Sequence, residues 1–219
     1  SHHLLHVLRL KPGDLLCLFD GCGIEADAVI TRHTRREVFC TVTARRKSLP
    51  TSDPRVTVIA APPKADRLKW MIEKLTEVGV ARLILLQTDR TVVSHGESRI
   101  DKLRASVISA CKQCRRNDLM QLSPLQPLKS VLEDVATQRL PGKLWIAHPA
   151  QEATAQESEP VETSDKSQLL LIGPEGGFTE EEVVAALKAG ARRISWPHTI
   201  LRIETAALVF AAHLQSLGH

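Results

Sequence analysis

From Arg55 onward, short apolar runs alternate with longer segments of helical period, and this pattern constrains the fold more than any other feature of the chain. "VTVIAA", "RLILLQT", "KLWIAHP" and "QLLLIG" are nearly continuous in apolar residues, as strands buried on both faces must be. Between them "KADRLKWMIEKLTEVGV" places Leu68, Met71, Ile72, Leu75 and Val78 on one helical face, and "IDKLRASVISACKQC" does the same with Leu103, Val107, Cys111 and Cys114. "TEEEVVAALKAG" reads as a further helix, "RRISW" as a short strand and "ETAALVFAAHLQSL" as a closing helix. The expected class is α/β, a mostly parallel sheet with helices on both faces. In the closing helix Ala206, Ala207, Ala211 and Ala212 mix with Leu208, Val209, Phe210 and Leu214 almost all the way round. That marks either a central core helix or a homodimer interface.

The first fifty residues read differently. "DLLCLFD", "EADAVIT" and "EVFCTVTA" are strand-length runs divided by Asp20-Gly21 and the basic "RHTRRE", with no helical period. They predict a small, barrel-like β domain over residues 1–50, a linker at "SLPTSDP" (Ser48 to Pro54) and a second domain over 55–219. Gln151 to Ser167 is polar and acidic without apolar period, and is expected to form an exposed loop.

Composition excludes several classes. No run approaches the ~20 uninterrupted apolar residues of a membrane helix, and no signal-peptide pattern is present. Five cysteines, an odd number, argue against a disulfide framework and for a reducing cytoplasm. The net charge of +4 leaves any anionic partner to local basic patches. Three per cent aromatics and no tyrosine argue against a base-stacking platform. Ser1-His2-His3 lacks an initiator Met, as a tag remnant or a chain beginning inside a longer one would.

"LLLIGPEGGFTEEEV", Leu169 to Val183, is a buried strand, a glycine turn and a helix start. Thr179 with Glu182 three residues on is a capping box that starts the helix at Glu180, and Gly190 ends it. Neither GxGxxG nor GxxxxGK[ST] is present. With the helix start occupied and Glu180, Glu181 and Glu182 beside it, a phosphate would be repelled. A ligand that is neutral or partly cationic fits better, and S-adenosylmethionine meets that condition. "WPHTILRIETAAL" then brings Arg202 close to Glu204 at the entry of the apolar helix, where a plain ion pair is the simpler explanation.

Together, "LLLIGPEGGFTEEEV" and "ILRIETAAL" closely resemble the RsmE family, bacterial 16S rRNA (uracil-1498-N3)-methyltransferases of the SPOUT class. The resemblance spans nearly the whole chain. "HHLLHVLRLKPGD" and "LFDGCG" resemble the family's N-terminal PUA-like β domain, and "KADRLKWMIEKLTEVGV", "DRTVV", "ACKQCRRN" and "LLIGPEGGFT" follow in the family's order. A further strand usually precedes the "HHL" segment, so the N-terminus is expected to be incomplete, with His2 and His3 native.

The resemblance implies a SPOUT-type trefoil-knotted domain, a known exception to the rule against knots. It implies S-adenosylmethionine held by loops after three strands, at Ala147, His148 and Pro149, at Ile172, Gly173, Pro174 and Gly177, and at Trp196, Ile200 and Leu201. It also implies a cytoplasmic homodimer joined through the last helix, acting on 16S rRNA of the small ribosomal subunit, without metal or membrane. Two departures stand out: Trp196-Pro197 replaces the usual Leu-Gly, and Arg115 replaces the glycine of "QCGRN", so the helix end there would have to be remade.

Methyl transfer to uridine N3 needs the base oriented and its proton removed, or the resulting anion stabilised. Arg202 is the candidate cation beside the uracil carbonyls. Glu175 or Glu204 is placed to orient it, or to act as base if burial raises its pKa. Phosphate contacts are expected from Arg32, Arg35, Arg36, Arg45, Arg46 and Lys47 in the β domain, and from Lys112, Arg115 and Arg116 at a helix end. Arg9 is the residue of the β domain best supported by the resemblance. Cys111 and Cys114 lie on an apolar stripe and read as buried, reduced thiols. Another SPOUT methyltransferase (2′-O-ribose or tRNA) and a non-catalytic RNA-binding protein are the alternatives.

Overall fold

A computed structural model describes residues 10–34, 37–47, 55–92, 100–149, 167–197 and 199–217. Arg9, Arg35, Arg36, the linker at 48–54 and the acidic stretch 151–166 lie outside the described residues. The chain divides into two compact units, residues 1–51 with 115–119, and 52–114 with 120–219.

In the small unit, β1 (Leu15–Phe19), β2 (Ile24–His33) and β3 (Val38–Lys47) form an antiparallel three-stranded sheet in chain order. The Asp20-Gly21 signal makes the β1–β2 turn: the Asp20 carboxylate accepts from the backbone N–H of Cys22 at 2.7 Å and Ile24 at 3.0 Å. Segment 115–119 joins this unit by hydrogen bonds from Gly23 N–H to the Asn117 carbonyl and from Leu119 N–H to the Gly21 carbonyl. Gly21 has a φ of +80°, which a side chain would oppose, and a Cβ there would also press on the Leu119 side chain.

The large unit holds β4 (Arg55–Ala60), α1 (Ala65–Glu77), β5 (Arg82–Gln87), α2 (Ile100–Cys114), β6 (Gln121–Pro127), α3 (Leu128–Ala136) and β7 (Lys143–Ala147). It continues with β8 (Ser167–Ile172), α4 (Glu180–Lys188), β9 (Arg192–Ile194) and α5 (Ile203–Ser216). The six strands run in the order β6-β5-β4-β8-β7-β9, and every neighbouring pair is parallel.

Because side chains alternate across a strand, continuous apolar runs supply two cores. Ile84, Ile59, Leu171 and Ile146 stand in register across β5, β4, β8 and β7, and bury against Leu128, Val131 and Val135 of α3 and Val183 and Ala186 of α4. On the opposite face Leu83, Val58, Leu170 and Trp145 are in register and buried. α1, α2 and α5 pack on this side, with α5 against α1, β4 and β8. The expected stripe of α1 is buried at Leu68, Met71, Ile72 and Leu75, and each such side chain contributes ~1.5–3 kcal/mol.

β6 and α3 carry no sequence expectation above. β6 contains Pro124 and Pro127 and survives as a strand because it lies at the sheet edge, where a missing N–H costs no ladder bond. The closing helix is buried on one side of this chain and leaves open the choice between core helix and dimer interface. Its face of Ile203, Ala206, Ala207, Phe210, Ala211 and Leu214 is buried, whereas Leu208 and Val209 are half-buried and Ala212 is exposed.

Candidate active site

Parallel strands all end on one side of their sheet, so the loops after β7, β8 and β9 meet at one edge of the large unit, the usual place for a ligand in such sheets. Two adjoining clefts open there, of about 630 Å³ and 550 Å³, and share Ala147, His148, Pro149, Ile200, Leu201 and Ala206. The larger is walled by the segment after β8, Ile172 to Phe178, with Arg67, Arg90 and Arg202. The smaller is walled by Ile194, Ser195, Trp196, Pro197, Thr199 and Phe210. Trp196 is 48% exposed and Ile200 90% exposed, so apolar surface faces the opening.

The glycine turn is built locally and then tied from outside. Gly177 N–H donates to the Pro174 carbonyl at 2.9 Å, and its φ of +72° is one that a side chain would oppose. Arg90, from the "DRTVV" stretch after β5, donates to the Gly176 carbonyl at 2.7 Å. Arg67 of α1 donates to Glu175 Oε1 at 2.6 Å. The capping box forms as expected: Glu182 N–H donates to Thr179 Oγ1 at 3.2 Å, and Thr179 N–H donates to Glu182 Oε2 at 2.8 Å. Glu182 Oε1 also accepts from the backbone N–H of Asp89 at 2.9 Å, fastening α4 to the loop after β5.

These contacts revise the electrostatic argument. Glu181 and Glu182 line a different hollow, with Lys129 and Lys188, none of the three helix-start glutamates lines the cleft, and Glu175 of the turn does. Three guanidiniums share that cleft, so no carboxylate barrier excludes phosphate. What makes the turn a poor phosphate cradle is the capping box, which already occupies N–H groups at the helix start.

All ten residues expected at the cofactor line one or both clefts: Ala147, His148, Pro149, Ile172, Gly173, Pro174, Gly177, Trp196, Ile200 and Leu201. Glu175 and Arg202 line the larger one, and Glu204 lines neither. Arg202 is the N-cap of α5 in extended conformation and is exposed, whereas Glu204 turns inward at 6% exposure. Residues two apart on a helix do not face each other. Accordingly the expected Arg202–Glu204 pair is absent among the described residues, and the ion pairs of Glu175 and Glu204 go instead to Arg67. Neither glutamate orients Arg202 by a direct bond. Burial does not raise Glu175 either: the hydrogen bond from Arg67, then the charge of Arg67, hold its carboxyl below the usual range. Arg67 and Arg90 are the residues the sequence reading missed. Both lie in stretches quoted for the resemblance, which was the signal available.

The family model described as an RNA methyltransferase domain matches residues 51–215, and the RNA methyltransferase PUA domain matches residues 1–43. Ribosomal RNA small subunit methyltransferase E from Mycobacterium bovis is 33% identical over 212 residues, covering 94% of this chain and 80% of the relative. The chain belongs to the ribosomal RNA small subunit methyltransferase E family. The methyltransferase E of Bacillus subtilis is 28% identical, over 94% of this chain and 83% of that relative. The solved methyltransferase E of Neisseria gonorrhoeae, bound to S-adenosyl methionine, is 26% identical, with a TM-score of 0.85 over 98% of this chain and 88% of that one.

In this methyltransferase E family chain the expected RNA-binding arginines fall into distinct settings. Arg32 is exposed and lies over the Phe39 ring at 3.7 Å, and Arg45 is exposed. Arg46 forms a bidentate pair with Asp27 and a longer one with Glu25 at 3.7 Å. Arg115 is exposed, but Arg116 is 5% exposed and paired with Asp118 at 2.9 Å, which removes it from the phosphate-contact set.

Proposed function

We propose that this chain transfers a methyl group from S-adenosylmethionine to N3 of a uridine in 16S rRNA of the small ribosomal subunit. Family membership supports the reading, and the cofactor named with the Neisseria relative supports the donor. The observation that carries it is the cleft beyond β7, β8 and β9, where apolar side chains stand beside Arg67, Arg90, Arg202 and Glu175 and the neighbouring helix is capped. The capping box keeps a phosphate from the helix start, and the apolar side chains suit a nucleoside. Ile172, Gly173, Gly177, Trp196, Ile200 and Leu201 would hold the nucleoside. Pro197 has no N–H to contribute.

S-adenosylmethionine bound there would supply an electrophilic methyl group. The chain's own groups prepare the uracil. As N3 gives up its proton to solvent water, negative charge spreads over the flanking carbonyl oxygens, and Arg202 supplies a positive charge beside them. Glu175, held ionised by Arg67, is a weak base and serves as a hydrogen-bond acceptor that orients the base. N3 lies on the Watson–Crick edge, so the uridine must be unpaired or turned out. Arg32, Arg45 and Arg115 are the described arginines left to meet phosphates.

The same reading carries the trefoil knot and the homodimer. β9 lies at the edge beside β7, and the chain returns across β7 before α5 settles on β4 and β8. The loop it would thread, between β7 and β8, lies largely outside the described residues. The incompletely buried side of α5, with Leu208 and Val209, supplies the dimer contact; light scattering that returns the mass of one chain would overturn this.

The deciding measurement is mass mapping of small-subunit rRNA from a deletion strain and its parent. A single N3-methyluridine near the 3′ end should disappear. If the parent also lacks it, the substrate assignment fails. A ribose-methylated nucleotide lost in its place favours the other SPOUT chemistry.

A further inference from the structure

We propose that Arg67 is a positioning residue, whose guanidinium is anchored to buried Glu204 and fixes the Glu175 carboxylate at the cleft. This rests on the methyl-transfer reading and adds to it a residue far from the cofactor turn in sequence.

The three side chains come from α1, the turn after β8 and the first turn of α5, so one guanidinium ties together three segments around the cleft. Glu175 is 63% exposed at its side chain, and Arg67 is the strong partner that orders it, at 2.6 Å. Free, such a carboxylate would lose rotamer freedom each time a ligand required it in place. The charged groups around Glu175 are Arg67 on α1, Lys64 just before α1, and Arg202 at the entry of α5; Arg67 acts most strongly.

Glu204 supplies the second observation. Its side chain is 8% exposed, its Oε1 lies 3.7 Å from Arg67, and its Oε2 is buried without a hydrogen-bond partner among the described residues. A buried carboxylate with an unused acceptor is costly unless a cation is kept beside it. Arg67 is that cation. A buried anion therefore holds the guanidinium, and the guanidinium holds the exposed anion facing the ligand.

The test compares wild type with Arg67→Gln, Arg67→Lys and the double variant Arg67→Gln/Glu204→Gln. Methyl transfer to small ribosomal subunits is followed across the acidic pH range. In Arg67→Gln, kcat/KM should fall about tenfold or more, and the acid limb should move to higher pH because Glu175 loses the neighbour that keeps it ionised. Arg67→Lys keeps the charge but not the fork, and should restore the limb's position more fully than the rate. The double variant removes the buried charge left behind by Arg67→Gln, so it should fold even where the single variant does not, and should show the same displaced limb. A limb at the wild-type position in the glutamine variants, with a loss uniform in pH, overturns the assignment and leaves Arg67 a packing role. Absence of methyl transfer by wild type defeats the functional reading first, and the assignment with it.

Discussion

Arg115 occupies a conformation that its side chain opposes. Its φ is +60°, directly after α2, where a glycine usually closes a helix. The sequence reading expected the helix end to be remade around the arginine. Instead the left-handed backbone is retained, at a cost of about 1–2 kcal/mol for a residue with a Cβ. Arg115→Gly should therefore stabilise the chain by about 0.5–1 kcal/mol, the gain being trimmed by glycine's extra freedom when unfolded. A urea titration followed by circular dichroism measures it, and a lower midpoint for the variant would mean that the arginine's contacts outweigh the strain. Arg67 shows the opposite limit. It lies two residues into α1 with nothing in its spacing to separate it from any solvated helix arginine, and only the fold brings Glu175 to it.

At the scale of elements, α4 shows how a local signal acquires a distant part. The capping box is read from four residues, but Glu182 also accepts from Asp89 N–H, so one buried carboxylate fixes both the helix start and the loop after β5. Thr179→Ala removes one cap bond and should cost about 1 kcal/mol. Glu182→Ala leaves two backbone donors without their acceptor and should cost about 2–3 kcal/mol. Tryptophan fluorescence during denaturation gives both values. Equal costs would show that the bond to Asp89 contributes nothing. The elements that sequence did not reveal, β6 and α3, share a cause: Pro124 and Pro127 obscure a strand that is tolerated only at an edge, and edge position is not written in the strand itself.

For the whole molecule, acid stability follows from carboxylates held in both units. The Arg46 hydrogen bond keeps Asp27 below its ordinary value, backbone N–H groups of Cys22 and Ile24 do so for Asp20, and Arg67 does so for Glu175. Each of these carboxyls takes up its proton at higher pH in the unfolded chain than in the folded one. Their contribution is thus complete above the ordinary carboxylate range, about pH 4, and is lost as pH falls toward the folded-state values. The urea midpoint should hold steady from neutral pH down to that range and then decline. Asp27→Asn should lower the midpoint at neutral pH and make the acid decline shallower; an unchanged acid slope would show that the Asp27–Arg46 pair adds nothing. The partition into units is also a property of the whole. Residues 115–119 belong by contact with the first fifty although they follow α2 in the chain, and local composition cannot foretell that return.

The sequence by itself determined the parallel sheet and the strand–turn–helix at Leu169 to Val183. Burial on two faces demands continuous apolar strands, and caps and turns are satisfied within a few residues. Tertiary structure alone decided which charges meet. Arg67 reaches Glu175 across 108 residues and Asp89 reaches Glu182 across 93, because β8 enters the sheet beside β4. A helical or strand period fixes only the face on which a side chain stands, whereas the order of strands fixes what stands opposite it.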